Sequence, residues 1–421
     1  MRFVYVLVSW VLFGAVWPLL WLMRKTRDGW RQRLGFLRPE EIPAGDGPLV
    51  WLHGASAGDL LALSPMIRRL RQRSPGTRVL LSTITNTGIL MARERLRGDV
   101  DGAIYAPWDL WGSTRRAVRA LKPAVLVLEY TEIWPNLIHA ARAQGAQVVL
   151  TNGRFGERRL GQYRALFALI GNPLRELALL LMRDQSEAER ALKLGAPSGR
   201  VQVTGNTKFD ALIPPADSGD LAELRQALGL PEAARVLMAG STHEGEEPLI
   251  LEAYVSLLQA CPDLRLVIAP RYLERAERVA ALVRERGLSV GLRSRPGDAQ
   301  ARVMILDTIG ELARAYRLAT LVFVGGSFTT RGGQNILEPA AQGRPVLFGP
   351  HMENFRDSVT ALLGRGGIQV KDAQQLASVV GELHSRPDQL SSLGEMAKAA
   401  VAQLAGASDR NVDHLCRLLE V

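Results

Sequence analysis

Cysteine is nearly absent. Cys261 and Cys416 are the two present in 421 residues. Two cannot build a disulfide framework, and neither sits in a CxxC pair, which fits a reducing compartment and argues against structural zinc. None of the six histidines falls in HExxH or another ligand spacing, so neither a metal nor any other cofactor is expected. No fixed-period repeat is present, which excludes solenoids and propellers. Gly 40 and Pro 22 are too scattered for a low-complexity chain. What the chain does have is apolar mass, 47% hydrophobic against 22% charged. Disorder is excluded as the dominant state, and the length suits two or three domains. The formal charge of +10 asks for an anionic partner: nucleic acid, anionic lipid or a phosphorylated substrate.

Phe3 to Met23 carries no charge, and a helix of that length reaches ~32 Å, enough to cross a hydrocarbon core. Trp17, Trp21 and Trp30 suit an interfacial belt. The run is too long for a signal peptide and lacks a small-x-small cleavage site. From Arg24 to Arg38 six basic residues face one acid, Asp28, a net of +5. This collar orients the body to the cytosol and is attracted to anionic lipid, and it takes the main support from a nucleic-acid reading. Residues 1–38 are thus expected to be a membrane-anchor helix with a basic collar. Pro18 leaves open a bent, monotopic anchor.

Beyond Glu40–Pro48, apolar runs of strand length alternate with helical patterns. Strands are predicted at Leu49–His53, Arg78–Ser82, Ala103–Tyr105, Ala124–Glu129 and Gln147–Leu150. After a linker at Ile213–Gly219 a second series follows: Arg235–Ala239, Leu264–Ala269, Arg302–Leu306, Leu321–Val324 and Pro345–Phe348. Such alternation implies two doubly wound α/β domains, 39–212 and 213–421, with ligands at the strand C-termini facing a cleft. The last helices have the option of packing back on the first domain.

Three stretches carry chemistry. In WLHGASAGDL, Gly54–Gly58 matches the GxSxG elbow of hydrolases, although no triad order follows. Asp59 in the same stretch is either a general base in the cleft or the cap of its helix. In VGGSFTTRGGQNILEP, the Gly325-Gly326 turn, the Gly332-Gly333 loop and a helix opening near Gln334-Asn335 suit a phosphate. Asn335 and Glu338 share one face there, with Glu338 placed for a ribose diol; the competing reading is a structural crossover. Arg271, at a strand end, suits forked phosphate pairing, and Lys208 in GNTKFD offers a second cation.

The ordered set WLHGASAGD, EYTEIWPNL, NGRFGERRLGQY, GNTKFD, GSTHEGEE, APRYLER and GGQNILEPAAQGRPVLFGPHMENF resembles the Kdo (3-deoxy-D-manno-octulosonic acid) transferases of lipopolysaccharide assembly. The resemblance implies a metal-independent GT-B fold of two Rossmann-like domains. It also implies transfer of Kdo from CMP-Kdo to lipid IVA, with inversion, at the cytoplasmic face of the inner membrane. By position, Asp59 stands at the family's proton-accepting Glu, and Tyr130 at the first Glu of Glu-Thr-Glu-x-Trp-Pro. Lys208 matches a second stabilising residue, and Glu132 beside Tyr130 is a substitute carboxylate. CMP contacts are implied at Pro270, Arg271, Ile309, Gly310, Glu311, Asn335, Ile336, Leu337 and Glu338. The changes at Asp59 and Tyr130 leave two rivals: a transferase for another sugar or acceptor, and a decayed CMP-sugar-binding paralogue.

Overall fold

Continuous Val/Leu/Ile runs such as Val125–Leu128 are what a strand needs when both its faces are covered. In the computed structural model, which describes residues 2–22, 28–212, 221–295 and 301–420, these runs become two parallel sheets. The first contains β1 (Leu49–His53), β2 (Arg78–Thr83), β3 (Gly102–Tyr105), β4 (Val125–Glu129), β5 (Gln147–Gly153), β6 (Leu179–Met182) and β7 (Val201–Val203). Its order is β3-β2-β1-β4-β5-β6-β7, so the winding direction reverses between β1 and β4. Every residue of β1 and β4 is buried. Open α/β sheets bind ligands at such a reversal, beyond the strand C-termini.

The second sheet holds β8 (Arg235–Thr242), β9 (Leu264–Pro270), β10 (Val290–Leu292), β11 (Val303–Ile305), β12 (Leu321–Val324), β13 (Val346–Phe348) and β14 (Gly367–Gln369). Its order, β10-β11-β9-β8-β12-β13-β14, reverses between β8 and β12. Four short strands, β6, β7, β10 and β14, have no counterpart in the sequence prediction. The chain divides into one unit of residues 1–211 with 404–421 and another of 212–403. The predicted linker Ile213–Gly219 lies outside the described residues. The helix Ala407–Leu419 packs on Ala57–Arg73 of the first unit. Asp210 caps it, accepting from the amides of Gly406 and Ser408 at 2.5 and 2.6 Å.

The N-terminal segment departs from the expected span. A helix runs from Arg2 to Leu22, yet among the described residues no helix is long and apolar enough to cross a membrane. Tyr5 donates to Asp109 at 2.7 Å, and Phe13 stacks on Trp108 at 4.8 Å. The helix therefore leans on the first unit beside the helix Leu160–Ile170. Leu7, Val8, Trp10, Val11 and Leu12 are exposed, as are Leu166 and Leu169 of that neighbour. The collar is also altered: Arg24, Lys25 and Arg27 lie outside the described residues, and Arg33 is buried. Its guanidinium donates to the carbonyls of Asp28 and Ile84, each at 2.9 Å, and lies 4.6 Å from the Tyr105 ring. Arg33 is thus a structural cation, unavailable to lipid.

Candidate functional site

The loops after β1 and β4 meet at the first reversal. After His53 the chain turns at Gly54, where an added Cβ would lie 2.9 Å from Asp59 Cβ. Ser56 then caps the helix Ala57–Arg73 with φ −130°. Asp59 Oδ2 accepts from the Ser56 amide at 2.8 Å and the Ser56 hydroxyl at 3.0 Å. The capping reading of Asp59 is therefore realised, while its Oδ1 takes no hydrogen bond from a described residue. Ser56 sits in ordinary extended backbone and donates to a carboxylate, and the nearby imidazole of His53, the last residue of β1, turns to Ser82 instead. The hydrolase elbow is not built.

At the end of β4, Tyr130 adopts φ 56°, and at the end of β5, Asn152 adopts φ 51°. Left-handed backbone at a non-glycine residue is costly and collects at functional sites. Here it is held from both sides. The Tyr130 amide donates to Thr151 O at 2.9 Å, and Arg154 N donates to Tyr130 O at 3.3 Å. Beneath them lies Glu129, fully buried, accepting from Thr151 Oγ1 at 2.6 Å and from Asn152 Nδ2. Asn152 Nδ2 also donates to Thr207 Oγ1 at 2.6 Å, and the Thr207 amide donates back to Asn152 Oδ1 at 2.9 Å. One buried network thus ties the Tyr130 turn to the segment carrying Lys208.

Burial pushes the Glu129 carboxyl up to about 8, against hydrogen bonds that favour ionisation and with Asp59 adding repulsion. The unfolded chain ionises this group near 4.5, so between those values the folded protein binds more protons. Stability therefore falls as pH rises across that window, by no more than about 1.4 kcal/mol per pH unit for one group, and the fall ends above about 8. Glu129→Gln, which mimics the neutral acid, is expected to flatten this slope. Urea midpoints of both proteins at several pH values check it; an unchanged slope assigns the dependence to another group.

Above this network opens a cavity of about 680 Å³. It brings together Asp59, Tyr130, Glu132 and Lys208, the four residues the sequence singled out on this side. Arg154, Arg159 and Arg183 complete a cationic wall that sequence reasoning did not identify. Arg183 is offset by Asp184 and Glu187, both at 3.2 Å. Arg154 and Arg159 have no carboxylate of a described residue within ion-pair distance. Burial, with Glu129 and Asp59 nearby, raises the Tyr130 phenol above its ordinary value and keeps it neutral. Glu132 Oε2 accepts from Trp134 Nε1 at 2.9 Å.

In the second unit the ends of β9, β11 and β12 and the loops after them carry the CMP-side candidates. Here the structure corrects the phosphate reading of the glycine turn. Glu246, fully buried, accepts from the amides of Gly326, Ser327 and Phe328 at 2.6, 2.9 and 2.8 Å, and from His243 N at 2.9 Å. Those amides are already spent on a carboxylate. Gly325 is required for packing, since its Cβ would fall 2.6 Å from Thr242 Cα. The following helix begins at Leu337 and has five residues, too short for a strong terminal dipole. Ile336 and Leu337 point into the core at 0% and 1% exposure, so their side chains cannot line a ligand.

The remaining candidates stay at the rim. Asn335 Nδ2 donates to Glu338 Oε1 at 3.1 Å, and its Oδ1 accepts from Leu337 N at 3.1 Å. Burial raises the Glu338 carboxyl, partly opposed by Asn335 and by the charge of Arg271. Arg271 and Glu338 thus feel each other's charge. Pro270 ends β9, and the Arg271 amide donates to Thr242 O at 2.9 Å. Ile309 is 82% exposed at a loop tip, and Gly310 beside it has φ 86°. Glu311 is held below its ordinary value: against burial, Thr308, Arg293 and Arg314 favour the charged form.

A family model described as 3-Deoxy-D-manno-octulosonic-acid transferase (kdotransferase) matches residues 28–211. The chain is similar to the 3-deoxy-D-manno-octulosonic acid transferase of Bordetella pertussis, 33% identical over 438 residues, covering 98% of each protein. It is also similar to that of Haemophilus influenzae, 30% identical, covering 100% of this chain and 99% of the relative. Among solved structures, UDP-GlcNAc 2-epimerase from Neisseria meningitidis bound to UDP-GlcNAc aligns with TM-score 0.62 at 15% identity, over 88% of this chain and 100% of that one. A glycosyltransferase from Rickettsia africae aligns with TM-score 0.60 at 13% identity, over 89% and 99%. At these identities the structural neighbours share the fold alone, two parallel-sheet α/β domains of the GT-B kind.

Proposed function

Because the chain belongs to the Kdo transferase family and is a glycosyltransferase, we propose that it moves Kdo from CMP-Kdo to the lipid A precursor lipid IVA. The single observation that carries the acceptor side is the cavity at the β1/β4 reversal. There a carboxylate with one free oxygen, Asp59, lies among Lys208, Arg154 and Arg159. Those cations favour an acceptor that itself carries anionic groups. The donor side rests on Arg271, Asn335 and Glu338, with Ile309, Gly310 and Glu311 in the loop after β11.

In this reading the acceptor hydroxyl oxygen bonds to the anomeric carbon of Kdo while the bond from that carbon to the phosphate oxygen breaks. The electron pair leaves with CMP, the hydroxyl proton passes to Asp59, and configuration inverts. Asp59 accepts the proton through Oδ1, since Oδ2 serves the helix cap. On the donor side, Arg271 stabilises negative charge on the leaving phosphate. The exposed apolar side chains of the Arg2–Leu22 helix suit a helix lying in the membrane interface, on the cytoplasmic face of the inner membrane and against anionic lipid. Co-sedimentation of the full chain with anionic and neutral vesicles tests that placement.

The deciding experiment incubates the full chain in detergent with CMP-Kdo and lipid IVA and reads the mass of the lipid product. An acceptor heavier by one or more Kdo residues, with CMP released, is the expected result. CMP release with an unchanged acceptor mass overturns lipid IVA as substrate. No reaction and no binding of CMP-Kdo overturns the donor as well.

A further inference from the structure

Behind Glu132 runs a line of polar contacts that begins in the core of the first sheet. Trp51 Nε1 donates to Ser82 Oγ at 2.7 Å, and Ser82 Oγ lies 3.0 Å from His53 Nδ1. His53 Nε2 lies 3.4 Å from Glu132 Oε2. Trp51, His53 and Ser82 are 1% exposed or less. Their placement follows from register: His53 and Ser82 are paired neighbours on β1 and β2, and His53 is the last residue of its strand, at the cavity edge.

The direction of these bonds can be worked out. Indole N–H only donates, so the Ser82 oxygen accepts from Trp51 and its own hydrogen is free for His53 Nδ1. The imidazole then carries its hydrogen on Nε2, facing the carboxylate. The other neutral tautomer would donate from Nδ1 to Ser82 O, 3.2 Å away, and would set a lone pair of Nε2 against Glu132. A doubly protonated ring also puts hydrogen on Nε2. In each favourable state the Nε2–H of His53 faces the Glu132 carboxylate across 3.4 Å, an ion-pair contact. Trp134 Nε1 donates to the same oxygen at 2.9 Å. The indole hydrogen bond and the imidazole contact both fall on Oε2, while Oε1 receives nothing from a described residue.

Sugar transfer develops positive charge at the anomeric carbon, and a fixed carboxylate facing it lowers the barrier. Three other groups near the cavity are unsuited to that task. Asp59 takes the acceptor proton, Tyr130 is a neutral phenol, and Glu129 is sealed beneath the surface and kept protonated by burial. Glu132 remains, partly exposed at 20% and clamped from behind. We infer that His53 is a positioning residue that holds Glu132 as the carboxylate facing the developing charge of the transferred sugar. This inference rests on the transferase reading above. It adds a division of labour between two carboxylates in one cavity, together with the device that keeps them apart in role.

The test compares His53→Leu, His53→Gln, Glu132→Gln and the His53→Leu/Glu132→Gln double variant. It measures kcat and KM for CMP-Kdo, with thermal midpoints alongside. Glu132→Gln is expected to lower kcat about 100-fold and His53→Leu about 10-fold, with KM for CMP-Kdo within ~3-fold in both. The amide nitrogen of His53→Gln can stand near Nε2, so this variant is expected to return to within ~3-fold of the parent kcat. The double variant should be no slower than Glu132→Gln, since His53 acts through Glu132. Losses that multiply in the double variant, an unrescued His53→Gln, or a His53→Leu protein as fast as the parent overturn the inference. If His53→Leu does not fold, the His53→Gln and Glu132→Gln results decide, and a Glu132→Gln protein at parent kcat overturns it. A parent protein that transfers no Kdo overturns the transferase reading instead.

Discussion

Asp59→Asn is expected to lower kcat for Kdo transfer by about 10²–10⁴-fold, the range set by loss of a general base, with CMP-Kdo affinity nearly unchanged. The substitution is chosen to separate the two duties of this residue. Asp59 closes a capping box, with Oδ2 bonded to the Ser56 amide and hydroxyl. An Asn oxygen can accept those same bonds, so the loss of stability should stay below ~1 kcal/mol. It cannot take a proton. Single-turnover transfer with CMP-Kdo in excess, beside a thermal midpoint, reads both quantities. A folded Asp59→Asn protein that turns over at the parent rate removes Asp59 from the mechanism and leaves it a cap. Asp59→Ala is the poorer choice, because it removes cap and base together.

Much of the frame was legible in the sequence because burial on both faces leaves a strong mark. Val125–Leu128 and Leu321–Val324 are uninterrupted apolar runs, and both are central strands. The strands that escaped detection are of a different kind. β7, β10 and β14 are three-residue edge strands whose sequences, VQV, VGL and GIQ, lack the uninterrupted apolar run that marks the equally short β11 and β13. β6 follows the apolar helix Leu160–Ile170 within a few residues, and its Leu-rich run continues that pattern. The membrane segment misled in another way. Composition reports that Phe3–Met23 is apolar, but not that Tyr5 and Phe13 fold against Asp109 and Trp108.

The site was half legible. Asp59, Tyr130, Glu132 and Lys208 follow the C-terminal ends of strands, where topology gathers them. His53 and Glu129 were not visible as functional residues, because each reads as the last residue of a strand. Their roles depend on Ser82 and Asn152, supplied by neighbouring strands. The Gly325-Gly326 turn was misread because glycine tolerates two demands equally well, a close ligand and a close backbone. At Gly325 the neighbour is Thr242 Cα, which makes the demand one of packing.

Glu246→Ala is expected to have the largest effect on stability. Its carboxylate is the shared acceptor for four amides: Oε1 serves Ser327 and Phe328, and Oε2 serves Gly326 and His243. Removing it leaves four buried or nearly buried N–H groups without a partner, at about 1–3 kcal/mol each before relaxation. Relaxation and water entry will recover part of this, so a net loss of ~4 kcal/mol or more is expected, a large share of the ~5–15 kcal/mol that holds a typical domain folded. The consequence for function follows from position. The released turn leads directly to Asn335 and Glu338, so CMP-Kdo affinity should fall at least ~10-fold at a temperature where the protein is still folded. Glu246→Gln keeps one acceptor oxygen and sets an amide NH₂ against two N–H donors, so it should lose roughly half as much. Hydrogen exchange over residues 321–348, measured with CMP-Kdo titrations, distinguishes the outcomes. Loss of protection in this segment with weaker binding supports Glu246 as the post of the donor loop. Full protection and parent affinity in Glu246→Ala would mean that the four amides find other acceptors, and the glycine turn would again be open to phosphate.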